Sequence, residues 1–283
     1  MKKQFDHKLR LSKDNKVRLD QINVILEEYV EDGYRLTLRQ LYYQLVSRDF
    51  IPNKQDEYKK LMNILKKGRM AGIVDWDAIE DRVRKPILPY WVSGIEDAIN
   101  DTISQYRLNR MRDQSPQIEV WVEKDALSGV LSRVTENYHI RLMVNRGYTS
   151  VSALYDAQKR LSSGDTILYF GDHDPSGLDM LRDIKDRMLE FNVDIDIVPV
   201  ALTMDQVRAF NPPPNPAKFE DPRADWYIKE YGEVSWELDA LPPKELIRLL
   251  EESILQRIDL DQYHEMLKQE QKDIILMKTK FNL

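Results

Sequence analysis

Asp165-Thr-Ile-Leu-Tyr-Phe-Gly-Asp-His-Asp-Pro-Ser-Gly-Leu-Asp179 is the stretch on which the reading of this chain turns. An apolar run, Thr166 to Phe170, stops at Gly171 and is followed by two acids, Asp172 and Asp174. After Pro175-Ser-Gly177 the apolar residues recur at helical spacing. The pattern is a buried strand, an acidic tip and a helix start. Open parallel sheets bind ligands beyond the carboxyl ends of their strands, and carboxylate oxygens there suit Mg²⁺. Asp, Pro, Ser and Gly are also turn formers, so a polar strand-to-helix turn is the plain alternative.

Short apolar runs alternate with helical patterns on both sides of this stretch, the mark of a parallel α/β sheet. Ile118-Glu-Val-Trp-Val122 reads as a strand ending on Glu123, with a helix from Asp125. Arg141–Val144 is a second strand, followed by Asn145-Arg-Gly147 and a helix capped by Thr149 or Ser150 and reaching Leu161. The third strand is Thr166–Phe170, with a helix from Gly177 to Phe191, and the fourth is Ile195–Ala201. Parallel strands present their carboxyl ends at one edge, so Glu123, Asp172 and Asp174 can converge there. Asn211-Pro-Pro-Pro-Asn-Pro216 is a stiff loop, and Trp226–Tyr231 reads as a helix. Val234–Asp239 reads as a last strand, either an edge strand or a further source of acid through Glu237 and Asp239. Amphipathic helices from Pro242 and from Asp261 close the chain.

Toward the amino terminus the pattern is helical. Residues 1–14 read as a mobile basic arm. A first helix spans about Asn15–Glu31, with Ile22, Ile25, Leu26 and Tyr29 facing inward and Gly33 stopping it. Thr37-Leu-Arg-Gln40 is a capping box that starts a second helix at Leu38, closed by Pro52. Asn53 caps a third, about Lys54–Met70, which carries Lys59, Lys60, Lys66, Lys67 and Arg69. Residues 73–85 have room for a small wing. Three helices with a basic third one resemble a winged helix-turn-helix whose lysines meet DNA phosphates; a solvated lysine face is the alternative. At 100° per residue Leu38, Leu41, Tyr42 and Leu45 share the core stripe of the second helix, while Tyr43 points outward beside Arg39. Such an arginine favours the phenolate and can hold a phosphate oxygen. Lys85–Tyr90 reads as a linker, and a further helix with apolar residues Ile95, Ala98, Ile99, Ile103 and Tyr106 runs to about Arg112.

Composition narrows the classes. At 42% hydrophobic and 32% charged residues, the 283-residue chain reads as a soluble globular protein. It carries no apolar run of membrane-spanning length and no signal-peptide pattern at Met1-Lys-Lys. With no cysteine, disulfides and thiolate metal sites are excluded. His7, His139, His173 and His264 are too scattered for a His-rich zinc site. The net charge is −6, yet residues 1–90 hold 19 Lys/Arg against 14 Asp/Glu, an excess of five positive charges that leaves eleven negative on the rest. That asymmetry fits a DNA-docking module joined to a metal-binding one, or a merely solvated surface.

Val120-Trp-Val-Glu123-Lys, the loop with Gly147 and Asp172-His-Asp-Pro-Ser-Gly177 together resemble a Toprim domain, the metal-binding α/β fold of topoisomerases, primases and several nucleases. The Asp-x-Asp-Pro-x-Gly form is similar to the A subunit of topoisomerase VI and to the meiotic transesterase that makes double-strand breaks. In that family a winged-helix domain comes first, with an Arg four residues before a catalytic Tyr; Arg39-Gln-Leu-Tyr42-Tyr43 matches it. The likeness spans roughly residues 15–260. It implies a winged-helix domain at 1–90, a linker helix at 91–116 and, at 117–283, a Rossmann-like Toprim domain with a C-terminal helical extension. It further implies Tyr43 as nucleophile, Arg39 as its helper, and Glu123, Asp172 and Asp174 as Mg²⁺ ligands, with Glu123 alternatively a general acid or base. Double-stranded DNA would be cut to a 5′-phosphotyrosyl bond and a 3′-hydroxyl by a homodimer, the Tyr of one protomer serving the acids of the other. A location on the nucleoid in the cytoplasm follows. The chain is shorter than a topoisomerase A subunit, which implies a stand-alone relative or one that needs a separate ATPase subunit.

Three functions therefore stand as expectations: a tyrosine-dependent DNA-cleaving transesterase, a Toprim nuclease using metal-activated water, and a DNA-binding module whose acids are structural.

Overall fold

Local sequence signals set most of the elements in the computed structural model, which describes residues 1–6, 11–81, 89–216 and 224–281. Ser12 caps α1 (Lys13–Glu31) by accepting from the Asn15 amide, and Gly33 ends it at φ +80°. The Thr37/Gln40 capping box forms as expected and opens α2 (Leu38–Ser47). Two expectations nearby change. The helix stops at Ser47 rather than running to Pro52, because Asp49 turns at positive φ. Lys54, not Asn53, is the N-cap of α3 (Gln55–Met70) and offers no side-chain cap. The Asn53 side chain bonds elsewhere, as described below.

The buried stripes of α1, α2 and α3 pack with Leu36, Ile51, Val74, Ala78 and Ile79 into one apolar cluster. A Cβ at Gly68 would fall 2.4 Å from Leu19 Cδ2, so α3 approaches α1 as closely as a glycine allows. Residues 1–6, expected in a mobile arm, lie against α3: the Phe5 amide donates to Met70 O at 2.9 Å and Trp76 Nε1 to Lys3 O at 3.0 Å. Residues 7–10, His7 among them, lie outside the described residues. Of the expected wing, residues 73–81 contribute a single parallel bridge, Leu36 to Ile79. Residues 82–85 and most of the expected linker (85–88) also lie outside the described residues. The next helix, α4 (Ile95–Gln105), is shorter than expected and leaves Ile95 83% exposed, so its apolar face is only partly covered.

From residue 117 the alternating pattern forms a sheet of four parallel strands: β1 (Ile118–Val122), β2 (Arg141–Val144), β3 (Thr166–Phe170) and β4 (Asp196–Ala201), in the order β2-β1-β3-β4. Connecting helices are α5 (Asp125–Tyr138), α6 (Val151–Gln158) and α7 (Pro175–Glu190). Strands β1 and β3 are buried throughout, as a doubly covered parallel sheet demands. Side chains alternate between faces. Val120, Val122, Leu168 and Phe170 meet Leu127 and Leu131 of α5 on one side, and Trp121, Ile167 and Tyr169 meet Leu154 of α6 and Ile184 of α7 on the other.

After the sheet come α8 (Met204–Phe210), the two-residue strands β5 (Asn215–Pro216) and β6 (Val234–Ser235), paired antiparallel, and α9 (Ala224–Tyr231) between them. The expected strand 234–239 is cut short. Trp236 pairs instead with His173 through N–H···O bonds of 2.9 and 3.0 Å, and the chain then coils into a 3-10 turn, Leu238–Ala240. Helices α10 (Pro243–Leu255) and α11 (Leu260–Phe281) follow, and α10 covers α5. No helix among the described residues is long and apolar enough to cross a membrane.

The 3-10 turn packs on α2, and Ala240 joins the apolar cluster of the first three helices. Burial corrects one expectation here. Tyr43, expected to point outward, belongs to the same apolar cluster as Tyr42 and is 4% exposed against 5% for Tyr42. A helical wheel sees only one helix; it carries no information about what docks on the far face.

Candidate active site

Strand pairing brings the acids together. Strands β1 and β3 are neighbours with Val122 opposite Phe170, so the residues after them emerge side by side. The Glu123 amide donates to Phe170 O at 2.8 Å, and the Asp172 amide donates to Glu123 Oε2 at 3.0 Å. Two glycines make this closeness feasible. A Cβ on Gly171 would lie 2.5 Å from Tyr169 Cε1 and 3.2 Å from Glu123 Oε2, and one on Gly177 would lie 2.2 Å from the Asp172 carbonyl oxygen. Asp174 caps α7 by accepting from the Gly177 amide at 2.7 Å. Between the acids, the buried His173 ring faces away from them, its Nδ1 2.8 Å from the Tyr227 hydroxyl, which donates to His173 O.

A second group of acids arrives on the 3-10 turn. Lys124 Nζ lies 2.6 Å from Asp172 Oδ1, 2.9 Å from Glu237 Oε2 and 3.3 Å from Asp239 Oδ2. The Leu238 amide also donates to Asp172 Oδ1, at 2.8 Å. Arg39 of α2 pairs with Glu237 and, at 2.7 Å, with Asp239 Oδ2. Asp239 is fully buried; Arg39 and Lys124 face its Oδ2, and its Oδ1 has no hydrogen-bond partner among the described residues. A cleft of about 350 Å³ opens beside this network, lined by Arg39, Glu123, Lys124, Asp125, Arg146 and Asp239.

The electrostatics follow from burial and crowding. Burial and then the Asp172 charge push the Glu123 carboxyl up to about 7. Burial works against the Lys124 ammonium, but Asp172 and Asp239 outweigh it and hold its pKa above the ordinary lysine value. Tyr43 behaves contrary to expectation. Its burial raises the phenol pKa, and this outweighs the opposing pull of an Asn215 hydrogen bond, Arg39 and Lys124. The arginine acts in the expected direction but does not set the net result.

The structure thus joins Arg39, Tyr43, Glu123, Asp172 and Asp174 in one region. Arg39 lies over the Tyr43 ring, 5.9 Å from its centroid, and the Asn215 amide donates to Tyr43 Oη at 3.4 Å. Both halves belong to a single chain, whereas the resemblance pairs the tyrosine of one protomer with the acids of another. Among the described residues no three His, Asp or Glu side chains are gathered into the spacing of a metal shell. Lys124 is instead the cation amid Asp172, Glu237 and Asp239. The donor chemistry still fits a hard divalent cation: every candidate ligand is a carboxylate, and the buried Asp239 Oδ1 has no hydrogen-bond partner.

The expected DNA-binding residues divide. Lys59, Lys60, Lys66 and Lys67 are exposed on the outer face of α3, with Lys60 paired to Glu57 at 2.7 Å. Arg69 turns inward. Its Nη2 donates to Trp76 O at 3.0 Å and Ile79 O at 2.8 Å, and it stacks on Trp76, which ties the 76–79 segment to α3. Burial lowers its pKa.

Sequence reasoning missed Lys124, Asn215 and Arg146. Lys124 follows a strand-end glutamate, a signal that was present but unread. Asn215 sits in a proline-rich loop with no signal of its own. No protein-family model matches this chain, and no curated protein matches it.

Proposed function

We propose that this protein cleaves DNA by transesterification through Tyr43, as a relative of the topoisomerase VI A subunit with a winged-helix-like first domain and a Toprim-like second one. The observation that carries the reading is that Arg39, which lies over Tyr43 on α2, shares Asp239 with Lys124 at the carboxyl edge of the parallel sheet. Neither a solvated surface nor a plain turn would bring a tyrosine, two cations and five carboxyl groups together beside one cleft.

In this chemistry Tyr43 Oη forms a bond to phosphorus as the bond from phosphorus to the 3′-oxygen breaks. The products are a 5′-phosphotyrosyl ester and a 3′-hydroxyl, with one proton lost from the phenol and one gained by the leaving oxygen. Arg39 and Lys124 favour the phenolate and hold phosphate oxygens. Glu123, Asp172 and Asp174 would hold Mg²⁺, which when bound stabilises charge on the phosphate and the leaving oxygen. Glu123, near half protonation at neutral pH, is the alternative proton donor to that oxygen. Lys59, Lys66 and Lys67 meet backbone phosphates of double-stranded DNA. A second copy of the chain, a separate ATPase subunit and a place on the nucleoid belong to the same proposal.

Supercoiled DNA incubated with protein and Mg²⁺, then quenched with denaturant, tests it. The expected result is a covalent protein–DNA adduct that Tyr43→Phe abolishes. One observation favours a second reading: Tyr43 is buried and its phenol pKa is raised. Free nicks that survive Tyr43→Phe and vanish in Asp172→Ala would replace the first reading with a nuclease that activates water.

A further inference from the structure

Tyr43 Oη is met by a side chain from a distant loop, and a second side chain dictates which end of it faces the tyrosine. Asn215 Nδ2 donates to Tyr43 Oη and to Glu237 Oε1, both at 3.4 Å. Its Oδ1 accepts from Asn53 Nδ2 at 2.7 Å. Asn53 is oriented in turn, since Nδ2 also donates to Pro214 O at 2.9 Å and Oδ1 lies 3.0 Å from the Tyr42 hydroxyl. An amide can present either end, and partners decide which. The Pro214 carbonyl accepts only, which turns the Asn53 NH₂ toward the loop and leaves Asn215 Oδ1 facing it. The Glu237 carboxylate, paired with Arg39 and Lys124, also accepts only, which fixes the Asn215 NH₂ toward Glu237 and Tyr43.

Tyr43 therefore receives an N–H, and a bond donated to the phenol oxygen stabilises the phenolate more than the phenol. The phenolic proton is left to depart on the other side. The Tyr42 ring, 5.3 Å away edge-on, braces the Tyr43 ring. Charged groups that bear on Tyr43 come from three elements: Arg39 on α2, Lys124 after β1 and Asp239 on the 3-10 turn. Asn215 is the neutral donor among them.

We propose that Asn215 is a further catalytic residue of the transesterification suggested above, donating to the attacking oxygen of Tyr43, and that Asn53 is a positioning residue acting through it. The inference rests on that functional reading for its chemistry and on the hydrogen-bond chain for its geometry.

Two readouts on the full chain separate the two. The first is the Tyr43 phenol pKa, from ¹³Cζ-tyrosine NMR with Tyr43→Phe to assign the resonance. The second is the pH profile of adduct formation on supercoiled DNA with Mg²⁺. Asn215→Ala should raise the phenol pKa by about one unit and slow adduct formation about tenfold below it, because each unit removes tenfold of the phenolate. DNA affinity should not change. Asn215→Asp, nearly isosteric, should raise the pKa further by replacing a donor with an anion. Asn53→Ala should shift it less, in the same direction. Should Asn215→Ala leave both the pKa and the profile of an active protein unchanged, the role of Asn215 is overturned and the transesterase reading stands. Should wild-type protein form no adduct while Asn215→Ala still shifts the Tyr43 pKa, the reaction is overturned and the contact stands.

Discussion

Replacing Glu123 with Gln should stabilise the metal-free protein, and the gain should depend on pH in one direction. The Glu123 carboxyl is pushed from 4.5 up to about 7 by burial and by Asp172. Below about pH 4.5 the group is protonated in both folded and unfolded chains and contributes nothing. As pH rises toward 7 the unfolded chain releases this proton while the folded one retains it, so stability falls. Above about pH 7 the full cost is present. A gap of about 2.5 units at 1.36 kcal/mol each is about 3 kcal/mol. Gln keeps an oxygen for the Asp172 amide, which donates to Glu123 Oε2 in the native protein. Urea unfolding with a chelator present measures the difference directly. Glu123→Gln should exceed wild type by about 3 kcal/mol near pH 8 and match it near pH 4.5. Millimolar Mg²⁺ should narrow the gap by stabilising the wild type more, since a ligand that binds only the folded state raises its stability. A variant no more stable than wild type at pH 8, or a gap independent of pH, would falsify the electrostatic account of the site.

Four other variants probe the same framework. Lys66→Ala with Lys67→Ala should weaken DNA binding and flatten its salt dependence by about two counterions, with Tm unchanged, as read from binding titrations at several salt concentrations. Arg69→Ala should instead cost about 2 kcal/mol of stability through its lost bonds to Trp76 O and Ile79 O, measured by denaturant unfolding. Lys124→Met should destabilise by about 3 kcal/mol at neutral pH, because Asp172 and Asp239 lose their shared cation. Gly177→Ala should cost about 1–3 kcal/mol and impair cleavage together, since the added methyl meets a backbone oxygen at 2.2 Å that cannot rotate away.

The elements with local signatures were legible in advance. The strands at Ile118–Val122, Arg141–Val144 and Thr166–Phe170 and the Thr37 capping box lie where their patterns put them. Each is written in residues only a few positions apart. Less legible was anything decided by an unfavourable local competition. Asn53, a good cap by type, gives up its helix to bond Asn215, and Val234–Asp239 alternates like a strand but turns once Trp236 has paired with His173. Arg69 sits among basic residues, yet its guanidinium goes to backbone carbonyls.

By itself, then, the sequence determined the parallel sheet and the presence of Glu123, Asp172 and Asp174 at one edge of it, because strand period and strand-end position are local properties that parallel pairing converts into proximity. Tertiary structure alone decided what completes that edge. Arg39 and Glu237 stand 198 positions apart and Tyr43 and Asn215 stand 172 apart, and no periodicity links them. The first pair meets where the 3-10 turn at Leu238–Ala240 packs on α2, and the second where β5, paired with β6, brings Asn215 to the same helix. The packing of the turn encloses Asp239 and draws Lys124 and Arg39 into its field. Burial and charge pairing across such distances depend on which surfaces come to face each other, and a linear pattern does not carry that information.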